Sequence, residues 1–532
     1  MDKGIRFWNH IKKHAVFYLI LLVTILCVSI RKIPGNNDYE IAICAKHFFN
    51  SDWISCDWFL SQNIGFRLLA YFVIGPLANL FSIFTAVLIS RILVAFLVSI
   101  VMQKFARLMD IKAYVLVTVY LLFIEKQSLV AGEWFLGSFE SKVLAYIFFF
   151  LAIIYAVEKK PWKAIVFAGL TLSSHVLVGT YALFSLGVAF LIEDHRVFKT
   201  INLKQTLKAI GLFVVTSILG LYAYWQFLNV SDIAEKGNVA YIYVMLRSPH
   251  HLLPYSFTGF WWIIITLLAI ILYIYVLTNY KRRIYNYLAY SALTGLCFFT
   301  IGIIIYLSGN YEYLRYYWFR FADTYVPFSS MLLIASLSSI ILDKGELLLF
   351  KFITSKKWFR KMIKTIYISL FIFLMFLVVY EDITYIGDLF RTSNQKFSRV
   401  DSQVADAFLW ISENTPEDAV FLIEPRIAEY FYYLAERPLF VSFKHAPQYD
   451  KNVLEWYERI KLCNRGKELI PKEGLKVNLP IIKKSFYTLT RKEIVDIARN
   501  YNISYYLDKK DRLLDFQIVY ENEEYRLYKI EN

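Results

Sequence analysis

The stretch "AIVFAGLTLSSHVLVGTYALFSLGVAFLI", residues 164 to 192, decides how the chain is threaded. It is too long for one crossing of a bilayer, which takes about 20 apolar residues, and too short for two full ones. Read as one crossing, it would turn Lys281, Arg282, Arg283 and the cluster from Lys344 to Lys364 outward, against the rule that cytoplasmic loops are the ones rich in Lys and Arg. The stretch therefore goes in and out as two half-length helices that turn near Ser173, Ser174, His175 and Gly179. Irregular backbone at that depth is tolerated only beside protein or a water-filled cavity, so a cavity open to the outside is expected at this turn.

The flanking sequence fits a membrane bundle. The chain is 58% hydrophobic and 18% aromatic, well above the roughly 45–50% apolar content of soluble domains. Its apolar residues fall in blocks such as "AVFYLILLVTILCVSI" (15 to 30) and "FWWIIITLLAIILYIYVL" (260 to 277). Hydropathy predicts about eleven crossings, with the N-terminus inside. Lys104, Arg107 and Lys112 then lie inside, as do Lys159, Lys160 and Lys163, whereas the outside loops after the first hold scattered cations: Lys126, Lys142, Lys236, Arg247, Arg315 and Arg320. The net charge of +15 sits in short loops rather than on one basic face, which argues against nucleic acid as a partner. Lys3, Arg6, Lys12 and Lys13 precede the first block as in a signal sequence, but no small-residue cleavage pattern follows, so the block is read as a retained helix. Five cysteines show no metal spacing; only Cys44 and Cys56 lie close enough in one loop for a disulfide, and ordinary buried thiols are the plainer reading.

After about residue 381 the pattern becomes that of a water-soluble α/β domain, placed outside by the same parity. The expected division is a transmembrane part, 1–380, whose first outside loop (31–78) holds interface helices, and an extracytoplasmic part, 381–532. "DSQVADAFLWISENTPEDAVFLI" reads as helix, turn and strand, "RPLFVSF" as a strand and "NVLEWYERIKLC" as a helix. "TRKEIVDIARNYN" opens with a Thr490–Glu493 capping box and leads into the strand "ISYYL", and "FQIVYENEEYRLYKI" reads as a hairpin.

The polar candidates gather in the outside loops. In "RKIPGNNDYEIAICAKHFF" (31 to 49), helical spacing puts Asp38 on the side of Ile41 and Ala45, while Glu40 points away with His47. Asn36 or Asn37 caps this helix, and the helix dipole accounts for Glu40 and in part for Asp38. Asp52 and Asp57 flank Trp53 and Trp58, as an interface anchor or a ligand contact would. Glu140 has a first-turn explanation; Glu133, between Gly132 and Trp134, has none. His250 and His251 contact substrate or face water. Arg315 and Arg320 lie in an aromatic belt and either anchor it or grip a phosphate. Arg91, with no obvious acidic partner, and His175 are ionisable groups inside apolar blocks and count as functional candidates.

The phrases "NNDYEIAICAKHFFNSDWISCDWF", "AGEWFLGSFESKVLAY", "SSHVLVGTYAL", "RFADTYVP" and "WISENTPEDAVFL", together with the architecture, resemble the GT-C class of integral-membrane glycosyltransferases. The resemblance implies sugar transfer from a polyprenyl-phosphate-linked donor to a glycan, lipid or protein acceptor at the outer face of the plasma (inner) membrane. It makes an acid of the first loop the base, and Asp38 matches that position. Paired acids of the class sit close together, whereas Asp38 and Glu40 diverge here, so Glu133 or Asp57 is the expected second acid. Glu40, Asp57, Arg91, His175, His250, Arg315 and Arg320 are the expected substrate contacts. Arg315, Arg320 or a divalent metal would stabilise the leaving phosphate, and direct displacement would invert the anomeric centre. No metal ligands are read from the sequence. Two competing readings remain: a transporter or flippase of lipid-linked sugars, for which broken helices in matching halves are wanted and not seen, and a non-catalytic scaffold of envelope biogenesis.

Overall fold

The computed structural model describes residues 13–30, 36–62, 67–196, 202–230, 236–257, 261–344, 354, 356–391 and 400–531. Lys3, Arg6, Lys12 and the Asn36 side chain, named above, lie outside them. The bundle opens with α1 (Ala15–Thr24), which continues as a wider turn through Ile30, and α2 (Asn36–Phe49). Then follow α3 (Leu68–Leu80), α4 (Ile83–Leu108), α5 (Ala113–Glu125), α6 (Ser141–Val157), α7 (Pro161–Ser174) and α8 (Val176–Asp194). After these come α9 (Leu203–Thr216), α10 (Ile218–Val230), α11 (Lys236–Ile242), α12 (Trp261–Asn279), α13 (Arg283–Leu307), α14 (Arg320–Lys344) and α15 (Lys357–Arg391).

Among the described residues, α4, α8, α12, α13, α14 and α15 are long and apolar enough to cross a membrane; α9 and α10, bent by 69° at their junction, make a seventh span if taken as one. This is fewer than the eleven that hydropathy counts. The difference lies in α1, α5, α6 and α7, which are only 10–17 residues long, short of the ~20 of a full crossing. The apolar window of α15 is only 6% buried inside the protein, which suits a helix whose outer face meets lipid.

The decisive stretch breaks where expected. His175 ends α7 and caps α8, with its Nδ1 accepting from the Val178 N–H at 3.4 Å. Two glycines allow the helices to close on this break. A Cβ on Gly179 would lie 2.7 Å from the Leu172 Cα, and one on Gly220 2.5 Å from the Leu172 carbonyl oxygen. The end of α7 is thus gripped by α8 and α10 at backbone distance.

The C-terminal unit contains α16 (Ser402–Asn414), α17 (Asp450–Cys463), α18 (Gly474–Phe486) and α19 (Arg491–Tyr501), with β1 (Val420–Leu422), β2 (Ile503–Lys509), β3 (Gln517–Glu521) and β4 (Tyr525–Lys529). The strand order is β1-β2-β4-β3, with β1 parallel to β2 and the β3–β4 hairpin antiparallel. The Thr490–Glu493 capping box is present. "RPLFVSF" is not a strand. It makes one isolated bridge, Leu439 with Phe421, because Arg437 spends its guanidinium on the carbonyls of Ser412 and Thr415 and holds the segment under the end of α16. None of the five cysteines is in a disulfide; Cys56 and Cys297 are exposed, so only Cys44 and Cys463 are the buried thiols expected.

The unit is fastened to the first loop by polar contacts. Buried Asp57 accepts from the Leu60 and Leu439 N–H groups at 2.8 and 2.9 Å and from the Tyr432 hydroxyl at 3.1 Å. Trp53 Nε1 donates to Glu436 at 2.6 Å, and Tyr39 stacks on Tyr433 with centroids 4.1 Å apart.

Candidate functional site

A cavity of about 520 Å³ lies where the break at His175, the loops before α6 and α14, and the C-terminal unit meet. Arg67, Lys142, Arg247, Arg315, Arg320 and Lys444 reach its wall, against the carboxylates of Glu40 and Glu140. Tyr181, Tyr224, Phe227, Tyr316 and Trp318 supply an aromatic lining. A cavity with this lining sets cations and flat aromatic faces around one space.

The chain before α6 is shaped by side chains rather than by ladder bonds. Gln127 Oε1 accepts from Phe135 and Leu136, and Asp323, in the first turn of α14, accepts from the N–H groups of Val130, Ala131 and Glu133 and from the Ser128 hydroxyl. Gly132 takes a left-handed φ of +67° in this turn, a region that costs glycine nothing. Two of the phrases that carried the resemblance, 131–146 and 320–327, therefore touch. Arg320 and Asp323, one turn apart on α14, hold Glu133 by side chain and backbone: Arg320 Nε donates to Glu133 Oε1 at 2.7 Å, and Asp323 Oδ2 takes its N–H at 2.9 Å.

Glu133 is 1% exposed and lies behind the wall. Besides Arg320 it accepts from Lys142 at 3.0 Å, and His251 Nδ1 stands 3.7 Å away. Burial alone would raise its carboxyl, but Arg320, Lys142 and His251 outweigh this and hold it well below the usual carboxylate range. It anchors the cavity cations Arg320 and Lys142 and is not among the residues lining the cavity. Tyr317, at a left-handed φ of +56°, lays its ring 3.7 Å from the Arg320 guanidinium carbon and passes its hydroxyl to Tyr243 and Ser248. Arg320 is thus held at Nε and over its face, and among the described residues its two terminal nitrogens have no acceptor.

Asp38 is placed otherwise than expected. The turn of α2 diverges as read, so Asn37 and Glu40 face the cavity while Asp38 faces the bundle. Asp38 is fully buried, paired with Arg91 and accepting the Phe139 N–H. Burial pushes its carboxyl up to about 6 in spite of Arg91 and Phe139, a value suited to proton transfer, but the cavity does not reach it. Arg91 accordingly has the acidic partner the sequence did not show and does not line the cavity. Asp57, fastening the C-terminal unit, does not line it either. Glu40, His175, His250, Arg315 and Arg320 do line the cavity.

Glu140, set aside in the sequence as a first-turn acid, also lines it. Its Oε1 accepts from Asn37 Nδ2 at 2.6 Å and the Ser138 hydroxyl at 3.2 Å, and Oε2 lies 3.4 Å from Lys142. Glu40 is tied to Arg67 at 2.7 Å; burial is outweighed by Arg67, Lys444 and His445, and its carboxyl falls to about 2. Arg315 pairs with Asp450 at 2.5 Å across the junction with the C-terminal unit. Lys142, Arg247 and Lys444, with Arg67, were missed as site residues. A signal for the first two existed: Lys142, Arg247, Arg315 and Arg320 are four of the few basic residues that the topology rule disfavours in outside loops, and all four line the cavity. Nothing in the sequence marks Lys444. Among the described residues no three His, Cys, Asp or Glu side chains are grouped to hold a metal.

Residues 402–463 match a family model described as "Domain of unknown function (DUF6798)". No curated protein matches the chain. Among solved structures, the chain is similar to the oligosaccharyltransferase of Archaeoglobus fulgidus in the apo form, at 12% identity over 94% of this chain and 70% of that one, with a TM-score of 0.49. The same values hold for the archaeal oligosaccharyltransferase AglB from that organism in complex with an inhibitory peptide and a dolichol-phosphate. ArnT from Cupriavidus metallidurans, bound to undecaprenyl phosphate, is similar at 10% identity over 97% of each chain, with a TM-score of 0.45. These proteins belong to the GT-C class that the sequence resembles; likeness this distant leaves the activity to be read from the cavity itself.

Proposed function

We propose that the chain is a membrane glycosyltransferase that moves a sugar from a polyprenyl-phosphate-linked donor to an acceptor hydroxyl at the outer face of the membrane. The observation that carries this reading is the Arg320 guanidinium: fixed by Glu133 and Tyr317, it keeps both terminal nitrogens open to a cavity lined by aromatic rings and two carboxylates. Such a fork suits phosphate oxygens. Lys142 stands beside it, and the rings of Tyr181 and Trp318 are faces on which a sugar stacks.

Glu140 is the proposed base. Glu40, close-paired with Arg67 and brought to about 2, is a poor proton acceptor, whereas Glu140 is oriented by two neutral donors, Asn37 and Ser138. The acceptor oxygen gives its proton to Glu140 as it bonds to the anomeric carbon. The bond from that carbon to the phosphate oxygen breaks, its electron pair stays on the phosphate, and attack from the opposite side inverts the centre. Charge on the phosphate grows from one to two negatives in this step. Arg320 therefore binds the transition state more strongly than the donor, which is what catalysis requires. Asp38 and Arg91 act at one remove, fixing the Phe139 N–H next to Glu140.

The test is release of polyprenyl phosphate from a short polyprenyl-phosphate-linked sugar by the purified protein. Arg320→Gln is expected to lower kcat by about a hundredfold or more, with a smaller change in KM. Unaltered kcat in that variant, or no release by the wild type with any such donor, would remove the basis of the proposal.

A further inference from the structure

Glycosyl transfer as proposed needs one anion-binding group, and the cavity holds two. The first is Arg320 with Lys142, backed by Glu133. The second is Arg247 with Lys444, at the junction of the bundle with the C-terminal unit. Arg247 donates from Nη2 to the Lys444 carbonyl at 2.8 Å, and Lys444 Nζ donates to the Asn37 side-chain oxygen. Among the described residues neither cation has a carboxylate within ion-pair distance, and the Arg247 Nε is buried without any acceptor. The other cavity cations are compensated: Arg67 by Glu40, Arg315 by Asp450, and Arg320 and Lys142 by Glu133 and Glu140.

The two groups differ in the charges nearest them and share Glu140, which lies 3.4 Å from Lys142 and also acts on Lys444. The charges that act most strongly on Glu133 are Arg320, Lys142 and His251; those acting on Lys444 are Glu40, Arg247, Glu140 and Glu429. Tyr317, against Arg320, is hydrogen-bonded through its hydroxyl to Tyr243 and to Ser248, the residue next in sequence to Arg247. Two half-buried cations brought together with no carboxylate within ion-pair distance are costly unless an anion completes them. A lipid-borne donor keeps its phosphate near the bundle, where Arg320 and Lys142 stand, so a second anion comes with the other substrate.

We infer that Arg247 and Lys444 form a second anion seat, and that the acceptor carries an anionic group, phosphate or carboxylate, which this seat receives. The statement about the acceptor rests on the glycosyl-transfer reading; the seat itself does not. Glu140, linked to Lys444 through Asn37, then stands between the two seats. An acceptor held by its anion at Lys444 has its hydroxyls directed toward the proposed base.

The experiment is calorimetric binding of two probes, farnesyl phosphate and inorganic phosphate, to the full chain in phosphatidylcholine nanodiscs. Phosphate is expected to bind with farnesyl phosphate already saturating. Lys444→Gln and Arg247→Gln are expected to weaken phosphate about tenfold to a hundredfold while leaving farnesyl phosphate within about twofold, and Arg320→Gln to do the reverse. Lys444→Arg should restore phosphate binding, which separates a lost charge from a damaged fold. Competition between the probes, or equal weakening of both by Lys444→Gln, would show one seat and overturn the inference. If farnesyl phosphate binds nowhere in the wild type, the transfer reading fails, and phosphate binding lost in Lys444→Gln still decides the seat. Repeating the titration with phosphatidylglycerol in the discs identifies the source of the anion. Displacement of phosphate points to a lipid-borne acceptor, and unchanged binding to a soluble one.

Discussion

Glu133→Gln tests whether this carboxylate is the counter-charge on which the cation wall depends. The substitution keeps shape, turns one accepting oxygen into an amide donor, and removes one negative charge from a position 1% exposed. It leaves Arg320 and Lys142, whose side chains are 14% and 8% exposed, without their shared partner. Breaking a buried ion pair from one side costs about 3–5 kcal/mol. Lys142 still has Glu140 at 3.4 Å, which places the expected loss near the lower end, about 3 kcal/mol. The assay is reversible denaturant unfolding of the purified protein in detergent micelles, with Glu133→Asp as the charge-keeping control. The pH dependence follows from the sign of the shift. The carboxyl is held below its ordinary 4.5, so its stabilisation is complete above that value and is lost only as pH falls through the lowered one. The gap between wild type and variant should therefore stay constant from about pH 8 to pH 5. A loss under about 0.5 kcal/mol, the range of ordinary surface substitutions, would refute the reasoning.

His445 is buried between the rings of Phe59 and Tyr432, its Nδ1 has no acceptor, and burial pulls it to about 4 from 6.5. A buried neutral histidine lets the unfolded chain take up protons first, so its share of stability is present above 6.5 and lost as pH falls toward 4. His445→Phe should flatten that loss by roughly 3 kcal/mol in unfolding measured across the interval. Gly179→Ala should destabilise by about 1–3 kcal/mol, because its Cβ meets the Leu172 backbone; a thermal midpoint equal to that of wild type would show that α7 and α8 can part at no cost.

The membrane bundle was legible because apolar blocks of the right length are their own signal, and so was the break at His175, forced by the sign of the later loops. The divergence of Asp38 from Glu40 could be read from helical period alone. Which of the two faced the cavity could not, because period fixes the angle between side chains and not the direction of the partner helix. Asp38 meets Arg91 across 53 residues, and Arg320 meets Glu133 across 187; no local pattern marks such pairs. Glu140 was discounted for a sound local reason, its place at the start of a helix, which did not prevent the same carboxylate from facing the cavity. Of the cavity cations, those in outside loops violated a charge rule and could have been found that way. Lys444 sits past the last apolar block, where a lysine violates nothing.

The measurement that bears most directly on the catalytic assignment sets Glu140→Gln beside Asp38→Asn, following polyprenyl phosphate release and farnesyl phosphate binding in both. The account predicts that Glu140→Gln keeps binding and loses about 10²-fold or more in turnover, while Asp38→Asn, which retains an oxygen for the Phe139 N–H, keeps a measurable rate. Full turnover in Glu140→Gln together with a dead but well-folded Asp38→Asn would contradict it and return the base to the first acid of α2.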